Sequence, residues 1–278
     1  MENRQKEKVW FITGSSRGFG KIWTEAALKR GDKVAATARN IDSIAALKET
    51  YGDQVLTIEV DVTNAAQVQN AISEAHEYFG RLDVVFNNAG YSLVGTIEES
   101  HPDEIKAMYE TNIMGSIHVI QAVLPILRSQ GYGHILGTSS AVGIYSNPLI
   151  GYYCSSKFAF EAIYDSLSKE VAAFGIKVSI IEPGAYNTEF GSTESLKRAE
   201  KNLGVYDDLK NSLMENLQKL ERGNPTATPK AIFAVVDAET PPLRLLLGRN
   251  DLPYIQQIYA ERIQEWEAWK NVSEAAQG

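Results

Sequence analysis

The residues Gly151–Lys157 read Gly-Tyr-Tyr-Cys-Ser-Ser-Lys and include side chains that can perform acid chemistry. Tyr153 and Lys157 are four residues apart, so a helix beginning here places both side chains on one face, about one turn apart. Tyr152 is not one turn from the lysine, which makes Tyr153 the predicted proton donor. Because an ammonium group favours the phenolate, we expect Lys157 to lower the Tyr153 pKa from its usual value of about 10. Such a phenol suits the protonation of a carbonyl oxygen.

Tyr-x-x-x-Lys also occurs by chance, so the pair gains meaning only from the elements around it. Apolar runs alternate with amphipathic runs along the chain, which predicts strands alternating with helices. The predicted strands are Val9–Thr13, Lys33–Ala38, Gln54–Val60, Leu82–Phe86, Gly133–Thr138, Lys177–Ile181 and Leu243–Leu247. The predicted helices include one ending near Gly31, then Ile41–Tyr51, Ala65–Phe79, Pro102–Arg128, Gly151 to about Phe174, Ala231–Asp237 and Pro253–Lys270. This order predicts a single α/β domain, a doubly wound parallel sheet of the Rossmann type with about seven strands and helices on both faces.

The turn between the first predicted strand and helix is rich in glycine and reads Thr-Gly-Ser-Ser-Arg-Gly-Phe-Gly at Thr13–Gly20. Glycine lets the backbone turn sharply and approach a pyrophosphate, whose charge favours a helix N-terminus. The spacing is Gly-x-x-x-Gly-x-Gly rather than the commoner Gly-x-Gly-x-x-Gly. A glycine-rich turn without a ligand is the alternative interpretation. The predicted cofactor-binding residues here are Gly14, Ser16, Arg17, Gly18, Phe19 and Gly20.

The end of the second predicted strand indicates which dinucleotide is bound. An acidic residue there would bind the ribose 2′-hydroxyl of NAD, but Ala36–Asn40 contains no carboxylate. Arg39 and Arg17 could instead bind a 2′-phosphate, which a planar, permanently charged guanidinium suits well. Two solvated surface arginines would be the alternative. We predict NADP(H), and we expect that replacing Ala38 by Asp moves the preference toward NAD.

The composition excludes several classes of function. The chain has 278 residues, a formal net charge of −8 and a pI near 5.2. Such a chain should not bind nucleic acid or anionic membranes non-specifically. A lone cysteine, Cys154, permits no internal disulfide, and the N-terminal residues lack the apolar core of a signal peptide. We expect a cytoplasmic protein with no membrane span.

Four motifs together resemble the short-chain dehydrogenase/reductase superfamily and, within it, the NADP-preferring carbonyl reductases and ketoreductases. They are the glycine pattern of Thr13–Gly20, Asn87-Asn88-Ala89-Gly90, Ser140 with Tyr153 and Lys157, and Pro183-Gly184 with Thr188. They occur in the family's order and cover roughly Lys8–Thr188. The C-terminal part of the chain, which completes the predicted sheet, adds to the match. Each motif is weak alone, whereas the set is highly specific.

The resemblance implies a role for each catalytic residue. Ser140 would hydrogen-bond the substrate carbonyl, and Tyr153 would give that oxygen its proton. Lys157 would hold the nicotinamide ribose, and Asn112 would anchor a water linking the lysine to solvent. The family's serine-to-tyrosine spacing selects Ser140 over Ser139, which becomes a neighbour of the pocket. The fold would bring a hydrophobic carbonyl or alcohol substrate to these groups.

The resemblance also implies how the rest of the cofactor is held. The adenine would lie beside Asp61 and Val62. The adenosine side would be lined by Asn88, Ala89 and Gly90, while Asn87 would help hold the sheet. The nicotinamide would be bordered by Pro183, Gly184 and Thr188, with the threonine hydroxyl on its carboxamide.

The substrate is indicated only by apolar residues near the motifs and by a segment that interrupts the alternation. The predicted pocket residues are Leu93, Val94, Ile144, Tyr145, Leu149, Tyr186 and Phe190. Leucines at helical spacing in 191–223 predict an amphipathic helical insertion, which we interpret as a substrate lid over about 189–224. Plain packing or an oligomer contact are its alternatives. An aryl or alkyl ketone is the expected substrate, with a hydroxysteroid- or retinol-type alcohol second and a non-catalytic NADP sensor as the remote alternative.

The remaining chemically capable residues are interpreted as structural. Cys154 is turned away from Tyr153 in a helix and is predicted to pack. The four histidines show no metal-binding spacing, so no metal site is expected. Trp266 and Trp269 are predicted to be core or subunit contacts. The family tendency implies a homodimer or homotetramer formed through the helices around Pro102–Arg128 and Ser155–Phe174.

Overall fold

The computed structural model of the protein describes residues 7–189 and 195–278, and the side chains of residues 216–218 lie outside that description. The strands are β1 (Val9–Ile12), β2 (Lys33–Ala38), β3 (Val55–Glu59), β4 (Val84–Asn87), β5 (Ser92–Val94), β6 (Gly133–Thr138), β7 (Ile176–Pro183), β8 (Leu196–Arg198) and β9 (Arg244–Leu247). The helices are α1 (Gly18–Arg30), α2 (Ala45–Tyr51), α3 (Ala65–Phe79), α4 (Pro102–Tyr109), α5 (Gly115–Gln130), α6 (Gly151–Val171), α7 (Asp207–Lys219), α8 (Pro229–Asp237), α9 (Asp251–Ala268) and α10 (Lys270–Ala275).

The main sheet has seven strands among the described residues, in the order β3–β2–β1–β4–β6–β7–β9. Every neighbouring pair is parallel. The chain first builds outward from β1 to β3 and then returns to place β4 on the other side of β1. This reversal creates a crevice at the carboxyl ends of β1 and β4, where doubly wound sheets bind their ligands. The predicted single α/β domain of Rossmann type is confirmed.

Helices cover both faces of this sheet because each central strand is apolar on both sides. In β1, Val9 and Phe11 join the core beneath α3, α5 and α6, whereas Trp10 and Ile12 join the core beneath α1 and α8. Successive strand residues point to opposite faces, so one four-residue strand serves both cores. The continuous apolar run that predicted a buried strand thus reflects two separate apolar layers.

The helix predicted over Pro102–Arg128 is not regular throughout. Two α-helices, α4 and α5, are joined by a π-helical turn at Glu110–Met114. A π-helical turn accommodates an extra residue and is frequent at functional sites. Asn112 lies in this turn and is 1% exposed. A hydrophobic pattern reports the mean helical period and therefore does not reveal the irregular turn.

A second, two-stranded parallel sheet pairs β5 with β8, and neither strand is predicted by the sequence. The segment after Thr188 is therefore not wholly helical as predicted, since β8 precedes helix α7. The three residues of β8, Leu-Lys-Arg, carry too little pattern to indicate a strand. Their conformation depends on β5, which lies about a hundred residues earlier in the chain.

The C-terminal helices contribute little to the core. Trp266 and Trp269 are each 65% exposed, so the core alternative predicted for them is wrong. None of the residues of α9 is buried. Their role as subunit contacts stays a prediction.

Candidate active site

A cleft of about 2040 Å³ opens at the carboxyl ends of the central strands. All but two of the residues predicted for cofactor binding and catalysis line it. They are Gly14, Ser16, Arg17, Gly18, Phe19, Arg39, Asp61, Val62, Asn88, Ala89, Gly90, Ser140, Tyr153, Lys157, Pro183, Gly184 and Thr188. Gly20 and Asn112 lie behind its surface. Ordinary small-ligand pockets measure about 300–1,000 Å³, so this cleft has room for a dinucleotide together with a substrate.

The glycine-rich turn has the shape that a pyrophosphate requires. Gly14 and Gly18 have φ angles of 70° and 54°, a left-handed conformation that favours glycine. A Cβ atom added at Gly20 would collide with the carbonyl oxygen of Gly14 and the side-chain amide of Asn88. Helix α1 therefore begins close against the strand ends. Its first turn carries no acidic residue, which leaves the positive end of the helix dipole available to an anion.

Asn88 ties the turn to the neighbouring strands. Its side chain donates to the carbonyl oxygens of Thr13, at 3.0 Å, and Gly14, at 3.3 Å. The Thr13 hydroxyl in turn accepts from the backbone N–H groups of Asn88, at 2.9 Å, and Ala89, at 3.0 Å. These bonds join the ends of β1 and β4 at the crevice. Asn87 points into the core instead, where it donates to the Tyr164 hydroxyl at 2.8 Å.

Two arginines stand together at the cofactor end of the cleft. Arg17 begins α1 as its N-cap residue, and Arg39 follows β2 directly. Burial and the nearby positive charge of Arg39 lower the pKa of Arg17, while Glu189 acts in the opposite direction. Two cations this close repel each other, and an anion bound between them would relieve that repulsion. The glycine turn, the helix start and these arginines fit a nicotinamide dinucleotide.

The residues predicted to be catalytic converge on the other half of the cleft. Helix α6 begins at Gly151, as predicted, and places Tyr153 and Lys157 on its buried face. The Ser140 hydroxyl is hydrogen-bonded to the Tyr153 phenol and donates to the carbonyl oxygen of Pro183 at 3.3 Å. Lys157 Nζ donates to the carbonyl oxygen of Thr138 at 2.7 Å and lies 5.8 Å from the Tyr153 ring centre.

The expected lowering of the Tyr153 pKa is wrong for this structure. Burial raises the pKa of the phenol, and its hydrogen bond to Ser140 offsets only part of that effect. Lys157 is itself buried, which lowers the pKa of its ammonium to about 8, although Glu161 partly opposes the change. Desolvation thus outweighs the attraction between the two groups. Tyr153 is consequently a fully protonated phenol at neutral pH.

Asn112 supports the site from the π-helical turn. Its side-chain oxygen accepts from the backbone N–H of Tyr91 at 3.0 Å, and its amide donates to the Tyr91 carbonyl at 2.9 Å and the Ser156 hydroxyl at 3.1 Å. A Cβ atom added at Gly90 would lie 3.1 Å from Asn112 Oδ1 and 3.8 Å from Lys157 Nζ. Because Gly90 has no side chain, the space between the Asn112 amide and the Lys157 ammonium stays open. The water-anchoring role of Asn112 stays a prediction.

The substrate side of the cleft agrees only in part with the sequence. Val94, Tyr145, Leu149 and Tyr186 line it. Leu93 does not, because adjacent strand residues point to opposite sides and this side chain packs in a small cluster with Tyr153. Ile144 does not line the cleft either: the short helical turn after Ser140 ends at this residue, and its neighbour Tyr145 supplies the lining side chain. Phe190 lies outside the described residues. Leu149 has a φ of 65°, a strained conformation for leucine.

Asp251, a carboxylate on the proposed substrate side of the cleft, is not predicted by any sequence motif. It begins α9, which starts two residues before the predicted Pro253. Its side chain accepts a hydrogen bond from the Tyr145 hydroxyl at 3.3 Å and abuts Gly184. Burial raises the pKa of this carboxyl. Tyr254, one turn further along α9, packs edge-to-face on Tyr145 and completes this wall of the cleft.

The segment predicted as a lid borders the cleft and is held by a buried carboxylate. Glu99 is 2% exposed and accepts from the Leu203 backbone N–H at 2.8 Å, the Lys210 ammonium at 2.7 Å and the Thr96 hydroxyl at 3.0 Å. These bonds, chiefly that from Lys210, lower the pKa of Glu99 to about 2. Leu213, Met214 and Leu220 from the same segment line the cleft.

Cys154, His134 and His101 occupy packing or capping positions. Cys154 is 1% exposed, and burial raises the pKa of its thiol. His134 is buried beside the Ser179 hydroxyl, which lies 3.0 Å from its Nε2. His101 caps helix α4. In the described part of the chain, no group of His, Cys, Asp and Glu side chains has the arrangement of a metal site. Over the same residues, no helix is both long and apolar enough to cross a membrane.

Comparison with known proteins places the chain in a family. Residues 8–199 match the family model of the short-chain dehydrogenases, and the chain belongs to this family of oxidoreductases. It is similar to an oxidoreductase of Botryotinia fuckeliana, BOA17, with 38% identity over 97% of this chain and 99% of that protein. It is also similar to a 3-ketodihydrosphingosine reductase of Bacteroides thetaiotaomicron, with 32% identity over 91% of each chain.

Solved structures agree in fold over nearly the whole length. A short-chain dehydrogenase from Streptomyces avermitilis has a TM-score of 0.90 and 32% identity, covering 98% of this chain and 99% of that one. A Burkholderia phymatum short-chain dehydrogenase/reductase in complex with NAD has a TM-score of 0.80 and 25% identity, covering 95% of each chain. An alcohol dehydrogenase from Thermococcus sibiricus, complexed with 5-hydroxy-NADP, has a TM-score of 0.72 and 27% identity, covering 87% and 96%. These neighbours support a nicotinamide cofactor for this chain.

Proposed function

We propose that the protein is an NADPH-dependent oxidoreductase that reduces a hydrophobic ketone or aldehyde to an alcohol, reversibly, with Tyr153 as the proton donor. One observation carries the proposal. A buried, protonated phenol, a serine hydroxyl bonded to it and a buried ammonium share one cleft with a turn shaped for a dinucleotide. Carbonyl reduction needs a proton donor and a hydride donor at one place.

The bound dinucleotide would supply the hydride. Tyr153 holds its proton at neutral pH and gives it to the carbonyl oxygen of the substrate. The Ser140 hydroxyl, which already contacts the phenol, is placed to donate to that oxygen as negative charge develops on it. Lys157 carries a positive charge beside the phenol, which favours the phenolate left after proton transfer. The reverse oxidation of an alcohol uses the same groups in the opposite order.

The paired arginines support NADP over NAD. Arg39 lies close enough to Arg17 for its charge to add to the effect of burial in lowering the Arg17 pKa, and Ala36–Asn40 at the end of β2 contains no carboxylate. Guanidinium groups bind a phosphate through several charged hydrogen bonds, whereas a ribose hydroxyl needs an acceptor.

The experiment that tests the proposed reaction is replacement of Tyr153 by Phe, with Tyr152→Phe as the control. Tyr152 is adjacent on α6 and donates to the Ile97 carbonyl at 3.3 Å, away from Ser140. NADPH oxidation is followed over a panel of aryl ketones, alkyl ketones, steroids and retinoids. We expect Tyr153→Phe to abolish turnover while NADPH binding, measured by fluorescence, stays intact. Near-normal turnover in that variant would reject the mechanism.

A long-chain amino ketone is a second candidate substrate, favoured by Asp251. The similar Bacteroides protein is named a 3-ketodihydrosphingosine reductase, and that compound carries an amine beside its ketone. Asp251 offers a half-buried carboxylate on the substrate side, bonded to a phenol rather than a cation. An amino ketone should then react faster than the matched ketone without the amine, and Asp251→Asn should remove the difference. Equal rates for the two ketones in the unmodified enzyme would reject this candidate.

The assembly and location of the protein are further proposals. We propose a homodimer or homotetramer formed through α4, α5 and α6, consistent with exposed apolar side chains such as Phe158 on α6 and Met114 in the π-helical turn between α4 and α5. Light scattering that shows a monomer at micromolar concentration would reject it. A cytoplasmic location and the absence of nucleic-acid or membrane partners stay predictions.

A further inference from the structure

A second group of charged residues lies behind the catalytic ones, away from the cleft. Glu161 follows Lys157 by one turn of α6 and is 7% exposed. Glu182 lies in β7, immediately before Pro183, and is 3% exposed. Arg244 begins β9, the strand next to β7. Neither carboxyl touches the proposed substrate site, and the reaction proposed above makes no use of them.

The two carboxyls have too few donors to be charged together. Arg244 Nε lies 3.1 Å from Glu161 Oε2 and 3.7 Å from Glu182 Oε1, and its Nη2 lies 3.2 Å from Asp165 Oδ2. One guanidinium therefore serves three carboxyls. Within residues 7–189 and 195–278, neither Glu161 Oε1 nor Glu182 Oε1 has a hydrogen-bond donor. A proton held between the two carboxyls would supply the missing donor.

The other groups packed around the pair include one hydroxyl that acts on Glu161, but they leave the two carboxyls sharing the Arg244 guanidinium. The Ser139 hydroxyl is close by and favours the charged form of Glu161. The turn at Ala141–Gly143, which covers the pair, has no titratable side chain. Lys169 is exposed and pairs with Asp165 at 2.8 Å. Burial, reinforced by the charge of Glu161, raises the pKa of Glu182 to about 8, and burial also raises the pKa of Glu161.

We propose that Glu161 and Glu182 share one proton at neutral pH and that this carboxyl pair controls the charge of Lys157 from behind the catalytic site. With the proton bound, the pair has one negative charge, which Arg244 balances. When the proton leaves to solvent, the pair has two negative charges, and the added charge favours the Lys157 ammonium one turn away. Both glutamates are positioning residues, since neither touches the reacting atoms.

Infrared spectroscopy tests the shared proton directly, without any assay of activity. A protonated carboxyl has a C=O stretching band separate from that of carboxylates. We expect this band in the unmodified protein at pH 6–7, roughly the range below the Glu182 pKa, and its loss in Glu182→Gln. Glu161→Gln is the second variant, and Glu170→Gln, on the exposed side of α6, is the control that should keep the band. A neutral-pH spectrum of the unmodified protein without the band would overturn the proposal, whether or not the variants fold.

The pH profile of turnover tests the link to Lys157 and rests on the proposed function. Gln at position 182 resembles the protonated carboxyl at every pH, so the second negative charge never forms. We expect kcat of Glu182→Gln to stay within about twofold at pH 7, because the pair's charge is unchanged there. Above pH 8, kcat should fall severalfold below that of the unmodified enzyme, since Lys157 then loses its proton more easily. An unchanged alkaline limb, with turnover and the infrared result intact, would overturn the link. A positive infrared result without ketone turnover would instead reject the proposed function alone.

Discussion

Replacing Arg39 by Ala should lower kcat/KM for NADPH much more than for NADH. The two cofactors differ only in the 2′-phosphate, so a side chain that binds this phosphate affects one of them. Charged hydrogen bonds of this kind contribute about 1.5–3 kcal/mol, which corresponds to roughly 10- to 150-fold. Arg39 is exposed, and its removal also relieves the repulsion on Arg17, whose pKa its charge lowers. Both facts place the expected loss near the lower end, about tenfold.

The assay measures steady-state kcat/KM for both cofactors at one fixed ketone concentration. Lys21→Ala is the matched control, because this exposed cation lies on the first turn of α1 but does not line the cleft. Ala38→Asp supplies the opposite change and should move the preference toward NADH by placing a carboxylate at the end of β2. Equal losses with NADPH and NADH in Arg39→Ala would refute the reasoning. They would mean that this arginine supports the loop or the pyrophosphate instead.

Two further predictions concern buried carboxyls. Glu99→Gln removes the charge that holds Leu203 and Lys210, so the lid segment should loosen. We therefore expect the KM for the ketone to rise. The Kd for NADPH, measured by fluorescence titration, should stay constant. Glu182 binds its proton more tightly when folded, with a pKa of about 8 against 4.5 unfolded. Its contribution to folding stability is therefore greatest below about pH 4.5 and is lost as the pH rises to about 8. Urea unfolding at several pH values in this range should show this decrease in the free energy of unfolding. The Glu182→Gln variant should lack this part of the pH dependence.

The sheet and the cofactor turn could be predicted because their signals are local. Each strand of the main sheet is an apolar run bounded by polar residues or glycine, so its position follows from a few adjacent residues. The φ angles of Gly14 and Gly18 likewise require a residue type that is visible in the sequence. Tyr153 and Lys157 were identified by their spacing along one helix, and that helix begins where the spacing indicated.

The unpredicted parts of the site depend on contacts between distant segments. β8 is a strand because it pairs with β5, and Asp251 reaches the cleft because the last helix packs beside Gly184. The pKa of Tyr153 depends on how deeply it is buried, which residue spacing does not report. The charge of Lys157 is visible in the sequence, whereas the removal of water from Tyr153 and Lys157 is not, and this removal has the larger effect on both pKa values.

Helix α6 connects the predicted and unpredicted parts of the site. Tyr153, Lys157, Glu161 and Asp165 follow one another at intervals of four residues, so they form one stripe on the helix. The stripe begins at Tyr153, the proposed proton donor, and ends at Asp165, a partly exposed carboxylate. Arg244, on the last strand of the sheet, binds the distal half of this stripe. Because that strand lies outside residues 8–199, which match the family model, the guanidinium that binds these carboxylates comes from a part of the chain beyond the shared motifs. Relatives with the same four motifs can therefore differ in the pH at which their lysine loses its proton.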